Sequence, residues 1–473
     1  RRILSSASPQ VTRDRDAMKR PLLTVRRLTL ALLAIGTLTF ILQALPVASR
    51  IYIDISSPSQ RKIPIAIPAL RHEGGDAAGY PLANNLAESL GGALTFTGLF
   101  QVLNPKMFLQ DAQQMGTDLA EIKFAEWSFL GADMLVRGSY RVSGGKLEVT
   151  FRLFDVINQI QIMKKSYVDE ATAVRQIVLR FADDMMLQLT GEPGIFNTRI
   201  AFVSNGTGHK EIYVADFDGF SPRRLTNDNS IDLNPEWSQD GKSLAYVSYK
   251  KGNPSQRENP NLYLMNLLTK SVQILSQRPG LNITPAWHPQ GGKLAVTLSV
   301  SGNSELYLID IQGKILEQLT KSFAIAVSPS WSPDGRKVAY VSNRTDKPQI
   351  YILDLAGNTS TRLTFEGDYN TSPAWSPRGD RIAYSGFYEG KFNIFLINPN
   401  GNDLRQLTGG SGNNENPCWS PDGRMILFQS DRQGGSTLWV MLANGSDQRP
   451  LGLRLGGTHT EPAWSPRLTW NPS

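Results

Sequence analysis

A chain of 473 residues has room for two or three domains. Its composition, 40% apolar and 19% charged, excludes a disordered polymer. A net charge of +7 would suit a nucleic-acid partner if it lay on the folded body. It lies instead in residues 1–49, where eight basic side chains face only Asp14 and Asp16. The rest is near neutral, so no nucleic-acid partner is expected.

The first segment reads as an export signal. Met18-Lys19-Arg20 and Arg26-Arg27 precede fifteen uncharged residues, 28–42, and then the small residues of Val47-Ala48-Ser49. A positive start, an apolar middle and small residues before the cut predict a signal peptide over residues 1–49, cleaved after Ser49. The stretch before Met18 reads as a non-native extension. The competing reading is an uncleaved anchor, since the apolar run is almost long enough to span a bilayer. Pro46 and the small-residue site favour cleavage, which leaves no direct membrane span. The sole cysteine, Cys418, permits no intrachain disulfide and no lipid attachment at the cleavage site, and reads as a small buried residue.

Residues 50–190 predict a small α/β domain. Arg50-Ile51-Tyr52-Ile53-Asp54-Ile55 alternates like a strand, and Ser56-Ser57-Pro58 breaks it. A strand is expected over residues 63–67. Leu82, Leu86, Leu90 and Leu94 mark one apolar helix face. Residues 133–142, 147–155 and 160–167 read as three strands, the first two joined through Gly144-Gly145. A second amphipathic helix covers residues 174–189, and Gly191-Glu192-Pro193-Gly194 is the joint to the C-terminal part of the chain.

Residues 195–468 repeat. A Pro-x-Trp motif recurs at Trp237, Trp287, Trp331, Trp375, Trp419 and Trp464, a period near 44 residues. Each of the first five tryptophans precedes a turn such as Pro333-Asp334-Gly335, and short β-branched and aromatic runs come next. Four strands at this period make a β-propeller blade. The set beginning at Ile200 lacks a tryptophan motif before it, and the last motif lacks strands after it. The C-terminal strand should therefore complete the first blade and close a ring of six, leaving no open edge. The fold class is an α+β N-terminal domain followed by an all-β six-bladed propeller.

Chemistry is hard to find in these residues. No Gly-x-Ser-x-Gly pentapeptide occurs, so a hydrolase is not expected. His72, His209, His288 and His459 stand at no metal-ligand spacing, and His288 replaces the serine that follows tryptophan in other repeats. Asp216-Phe217-Asp218-Gly219 resembles the start of a calcium loop but matches hairpin turns in the other repeats. The tryptophans hold a fixed place in each unit, which points to packing between blades rather than a sugar platform. The expectation is no catalytic residue, no cofactor and no metal.

The combination of leader, small domain, six Pro-x-Trp units built on the Ser-Pro-Asp-Gly pattern and its relatives, the closing Glu461-Pro462-Ala463-Trp464-Ser465-Pro466-Arg467-Leu468 and the Arg50–Ile55 segment resembles the TolB family. These are periplasmic propellers of the Tol-Pal envelope system. The resemblance runs from about Arg50 to Leu468. It implies a non-enzymatic, monomeric periplasmic adaptor that binds the lipoprotein Pal through the propeller and TolA through the mature N-terminus, Arg50, Ile51, Tyr52, Ile53, Asp54 and Ile55. An inserted loop at residues 253–260 departs from the repeat. Variable segments between the fourth strand and the next Pro-x-Trp are the expected partner-binding rim. Their candidates are Asp232, Asn234, Asn282, Thr284, Val327, Ser328, Asn370, Thr371, Glu415, Asn416, His459 and Thr460. The competing function is a periplasmic propeller that holds a small ligand or glycan in its channel.

Overall fold

The computed structural model describes residues 61–75, 82–250 and 259–470. The expected signal peptide with its Ser49 cut, the Arg50–Ile55 segment and most of the inserted loop lie outside these residues. No helix among them is long and apolar enough to cross a membrane.

The N-terminal domain is a mixed sheet with helices against it. Its elements are β1 (Ile63–Ala66), β2 (Arg71–Gly75), α1 (Leu82–Phe96), β3 (Phe100–Val102), α2 (Phe124–Phe129), β4 (Met134–Ser143), β5 (Lys146–Asp155), β6 (Ile160–Glu170) and α3 (Val174–Thr190). Strand order is β3-β1-β4-β5-β6, with β2 also on β4. Strands β4 to β6 form the antiparallel meander that their alternation predicts. Leu86, Leu90 and Leu94 of α1 are fully buried, and Phe151 of β5 stacks on Phe181 of α3 at 4.4 Å. Arg137 of β4 is also buried, and its guanidinium donates to the carbonyls of Ala69, Ala112, Met115 and Gly116. That lost solvation lowers its pKa to about 10. Neither β2, β3 nor α2 is foreseen from sequence, because each is too short to show a period.

The propeller has six four-stranded sheets. The inner strands of blades one to five are Asp232–Trp237, Asn282–Trp287, Ala326–Trp331, Tyr369–Trp375 and Asn414–Trp419. Blade six begins with the C-terminal strand His459–Trp464, which pairs antiparallel with Arg199–Ser204; Glu211–Asp216 and Arg223–Arg224 complete it. The ring is closed as the unequal chain ends require.

Each Ser-Pro-Asp-Gly turn is locked by its own side chains. The Ser332 hydroxyl donates to Asp334 at 2.6 Å and accepts from the Lys337 amide at 2.9 Å. Gly335 takes the left-handed conformation, φ +70°, that the tight turn needs.

The two domains share a core. One apolar cluster runs from α1 and α3 through Phe196 and Phe217 to Leu438 and Val440 of blade five. Polar ties lie on the same side. Arg175 pairs with Asp216 and Asp218 at 3.3 and 2.8 Å, and the Trp470 indole donates to buried Asp183 at 2.9 Å. The propeller residues Asp216 and Asp218 sit at a turn between third and fourth strands. That places the N-terminal domain on the turn face, opposite the loops that lead into the inner strands.

Candidate functional site: the propeller channel

The tryptophans hold blades together. All six are nearly buried. Trp237, Trp287, Trp331 and Trp419 each donate their indole N–H to a carbonyl of the preceding blade, at 2.9 to 3.3 Å. Trp375 bonds within its own turn to Gly379 and Trp464 to Thr198. A buried indole needs such an acceptor, and the neighbouring inner strand supplies it. The packing expectation holds.

Three residues before each tryptophan the backbone does something unusual. Asn234, Thr284, Ser328, Ser372, Asn416 and Glu461 all adopt positive φ, between 48° and 53°. A β-bulge falls there in every blade, between Leu233 and Glu236 and at the five equivalents. The next residue is always proline, which cannot donate to a ladder, and a bulge is where a strand tolerates it. Non-glycine residues in this region carry strain, and six in a ring concentrate it at one place.

That place is the channel. The six bulge residues and the prolines beside them enclose a small chamber of about 170 Å³. Beyond the prolines lies a larger one of about 610 Å³, walled by the tryptophans and by Glu236, Ala286, Ala374, Cys418 and Ala463. Glu236 touches both chambers. Burial among prolines and small side chains pushes its carboxyl up to about 8.

Part of the bulge ring is wired together. Ser372 donates to Asn416 at 2.7 Å, and Asn416 donates to Gln429 at 3.1 Å. Gln429 accepts from the Glu461 amide at 3.0 Å, and Glu461 accepts from the Asn234 amide at 2.6 Å. The arc spans blades four, five, six and one. Thr284 turns instead to Thr297 of its own blade, at 2.7 Å.

The sequence candidates divide by position. Asn234, Thr284, Ser328 and Asn416 are bulge residues on the small chamber. Val327, Thr371, Glu415 and Thr460 are half-buried one place earlier in their strands. Asp232, Asn282, Asn370 and His459 are buried at blade junctions, a correction to their placement on an accessible rim. His459 lies edge-on to Phe202 at 5.6 Å with its Nε2 on the Leu455 carbonyl, and burial lowers its pKa. Cys418 is half-buried, packed against the core on one side and facing the channel on the other, and burial pushes its thiol up. Two ring members, Ser372 and Glu461, lie in the variable segments but outside the named candidates, although counting three back from each tryptophan finds both.

The comparisons with known proteins agree with this architecture. The family profile described as TolB beta propeller domain matches residues 186–468. The profile described as TolB amino-terminal domain matches residues 51–162. The chain belongs to the TolB family. A Tol-Pal system protein TolB of Desulfosudis oleivorans is 42% identical over 252 residues, 53% of this chain and 56% of that protein. A TolB homolog of Chlorobaculum tepidum is 40% identical over 252 residues, 53% of this chain and 55% of the relative. The chain thus matches about half the length of these curated relatives. The crystal structure of TolB from Acinetobacter baumannii superposes with a TM-score of 0.73 at 26% identity, covering 88% of this chain and 99% of that one.

On the face of the small chamber, the loops entering blades one to four carry exposed apolar side chains. Ile231, Leu281, Phe323 and Phe365 are exposed on loops that enter the inner strands, Tyr369 is exposed at the first position of its inner strand, and Tyr388 is exposed at a hairpin on the same face. Phe323 is as open as a free side chain, at 109%.

Proposed function

We propose that this chain is a non-enzymatic periplasmic adaptor of the Tol-Pal system. It binds Pal on the loop face of the propeller and TolA through Arg50–Ile55, and so supports outer-membrane integrity and constriction at cell division. The observation that carries this reading is the set of exposed apolar side chains on the loops entering blades one to four, on the face the N-terminal domain leaves uncovered. Apolar side chains gathered at one surface mark partner sites more often than they mark chance. The bulge ring behind them offers hydroxyls, amides and a carboxylate for hydrogen bonds.

Calorimetry with the purified soluble part of Pal tests the reading. Replacing Phe323 and Phe365 together by serine should weaken binding at least about tenfold, as loss of buried anchors does. Removing residues 50–56 should abolish TolA binding and leave Pal binding. Unchanged Pal affinity in the double variant would remove the loop face from the proposal. Wild-type protein that binds neither partner would remove the adaptor.

A second reading has one observation behind it. The larger chamber, about 610 Å³, falls within the usual size of small-molecule sites. A glycan there should raise the unfolding temperature of the wild type. Oligosaccharides that leave it unchanged would exclude this use of the channel.

A further inference from the structure

A buried latch recurs where one blade meets the next. It joins a residue at the start of a third strand, a hydroxyl residue 15 positions later and the residue 21 positions later on the next inner strand. Between blades three and four, Gln349 accepts from the Thr364 hydroxyl at 2.7 Å and from the Asn370 amide at 2.8 Å. Between blades four and five, Asn393 accepts from Thr408 and Asn414 at 3.1 and 3.3 Å. Both latches are neutral, and the asparagine supplies the closing hydrogen.

Between blades six and one the same positions hold Glu211, Thr226 and Asp232. Glu211 accepts from Thr226 at 2.6 Å. Asp232 has no N–H to give. It is fully buried, and neither of its carboxylate oxygens has a hydrogen-bond partner. Burial raises its pKa to about 6; the Ser248 and Thr226 hydroxyls lie close enough to temper that rise, though neither makes a hydrogen bond of normal geometry to it. Exposed Asp228 completes the group, and one carboxylate oxygen from each of the three lies within 4.8 Å of the others. Two cations stand near. Arg224 pairs with Glu211 at 2.8 Å and Lys250 with Asp228 at 3.3 Å. One negative charge remains uncompensated, and it belongs to the buried carboxylate.

We propose that Glu211, Asp228 and Asp232 bind a hard divalent cation, calcium, at the junction of blades six and one. All-oxygen donors select against zinc and copper. Calcium sits about 2.4 Å from its oxygens and tolerates irregular geometry, which suits carboxylates spread over this span. Magnesium wants a tighter octahedron. Asp228 opens on solvent and gives the ion its entry. Because Arg224 and Lys250 offset two of the three charges, affinity should be modest, with Kd of about 0.1–1 mM, as in extracellular calcium modules.

The full chain, stripped with EDTA, is titrated with calcium and with magnesium by calorimetry, and its unfolding midpoint is followed. Saturating calcium should raise the midpoint by about 2–4 °C, and magnesium by less. Asp232→Asn copies the amide of Asn370. It should weaken calcium at least tenfold while raising the metal-free midpoint. Asp228→Asn should weaken calcium and, since it gives up only the half-exposed pair with Lys250, move the metal-free midpoint by no more than about 1–2 °C. Full calcium binding retained in both variants overturns the site. So does a wild type that takes up no calcium at about ten times the expected Kd.

Discussion

Blades three and four meet through two amides, whereas blades six and one meet through two carboxylates at the same positions. Asn370 donates to Gln349 and also to the Glu366 carbonyl at 2.7 Å, so its buried amide is satisfied twice. Asp232 has the same shape and the same burial but lacks the hydrogens. Repeats share what the fold needs, and a repeat that departs in charge alone departs for another reason. A buried carboxylate costs several kcal/mol unless something compensates it. The difference between the junctions therefore separates a hydrogen-bonded staple from a site that asks for a ligand.

The comparison breaks most completely if the ring is opened. Deleting residues 459–473 removes the inner strand of blade six and bares the edge Arg199–Ser204. It also removes Ala463, the acceptor of the Trp237 indole, and Glu461, the acceptor of the Asn234 amide. The expected loss exceeds the 0.5 to about 3 kcal/mol of ordinary point changes, with aggregation on expression. A soluble truncated chain that melts with the wild type would show that blade six stands without its last strand.

A smaller effect tests the neutral junction directly. Asn370→Asp should cost about 2–4 kcal/mol in urea unfolding at neutral pH, since it removes two hydrogen bonds and buries a charge that nothing pairs. Wild-type stability in this variant would mean the junction tolerates a bare carboxylate. Asp232 would then need no ion.

Much of the fold is legible in the sequence because its signals are local and repeated. Trp464 without strands after it, and Ile200 without a motif before it, predict the pairing the structure makes. Leu86, Leu90 and Leu94 announce their helix for the same reason. The shared core does not announce itself: Phe217 reads as one apolar residue in a turn, and only the fold brings Phe96 to within 5.0 Å of it. The site divides in the same way. Asn234 and Thr284 are found as polar residues in variable loops, and they do line the channel. Asp232, Asn282, Asn370 and His459 look the same by that measure, yet a neighbouring blade buries them. Polarity cannot reveal that, because Gln349, which satisfies Asn370, lies 21 residues away. The spacings of 15 and 21 residues, and of three before each tryptophan, are there to be counted. They acquire meaning only once the blades are set side by side.

The smallest expected effect carries the comparison into the channel. Glu236 stands where the other inner strands have Ala286, Ser330, Ala374, Cys418 and Ala463, so once more a carboxylate replaces a neutral residue at a repeated position. Burial raises its pKa from 4.5 to about 8. Between those values the folded chain keeps a proton that the unfolded chain releases. Its contribution to stability is therefore complete below about pH 4.5, declines as pH rises and is lost through about pH 8. Glu236→Gln has no proton to lose. The variant should match the wild type near pH 4.5 and exceed it by about 1–2 kcal/mol near pH 8.5, less than the full linkage because the channel admits water. Urea unfolding at both pH values decides it. Parallel pH profiles for the two proteins would mean that the channel solvates Glu236 as well as bulk water does. The Glu236 carboxylate would then be an ordinary wall residue, and the cost of a charge that departs from the repeat would rest on the Asp232 junction, whose oxygens lack the hydrogen bonds that Glu305 and Glu461 receive.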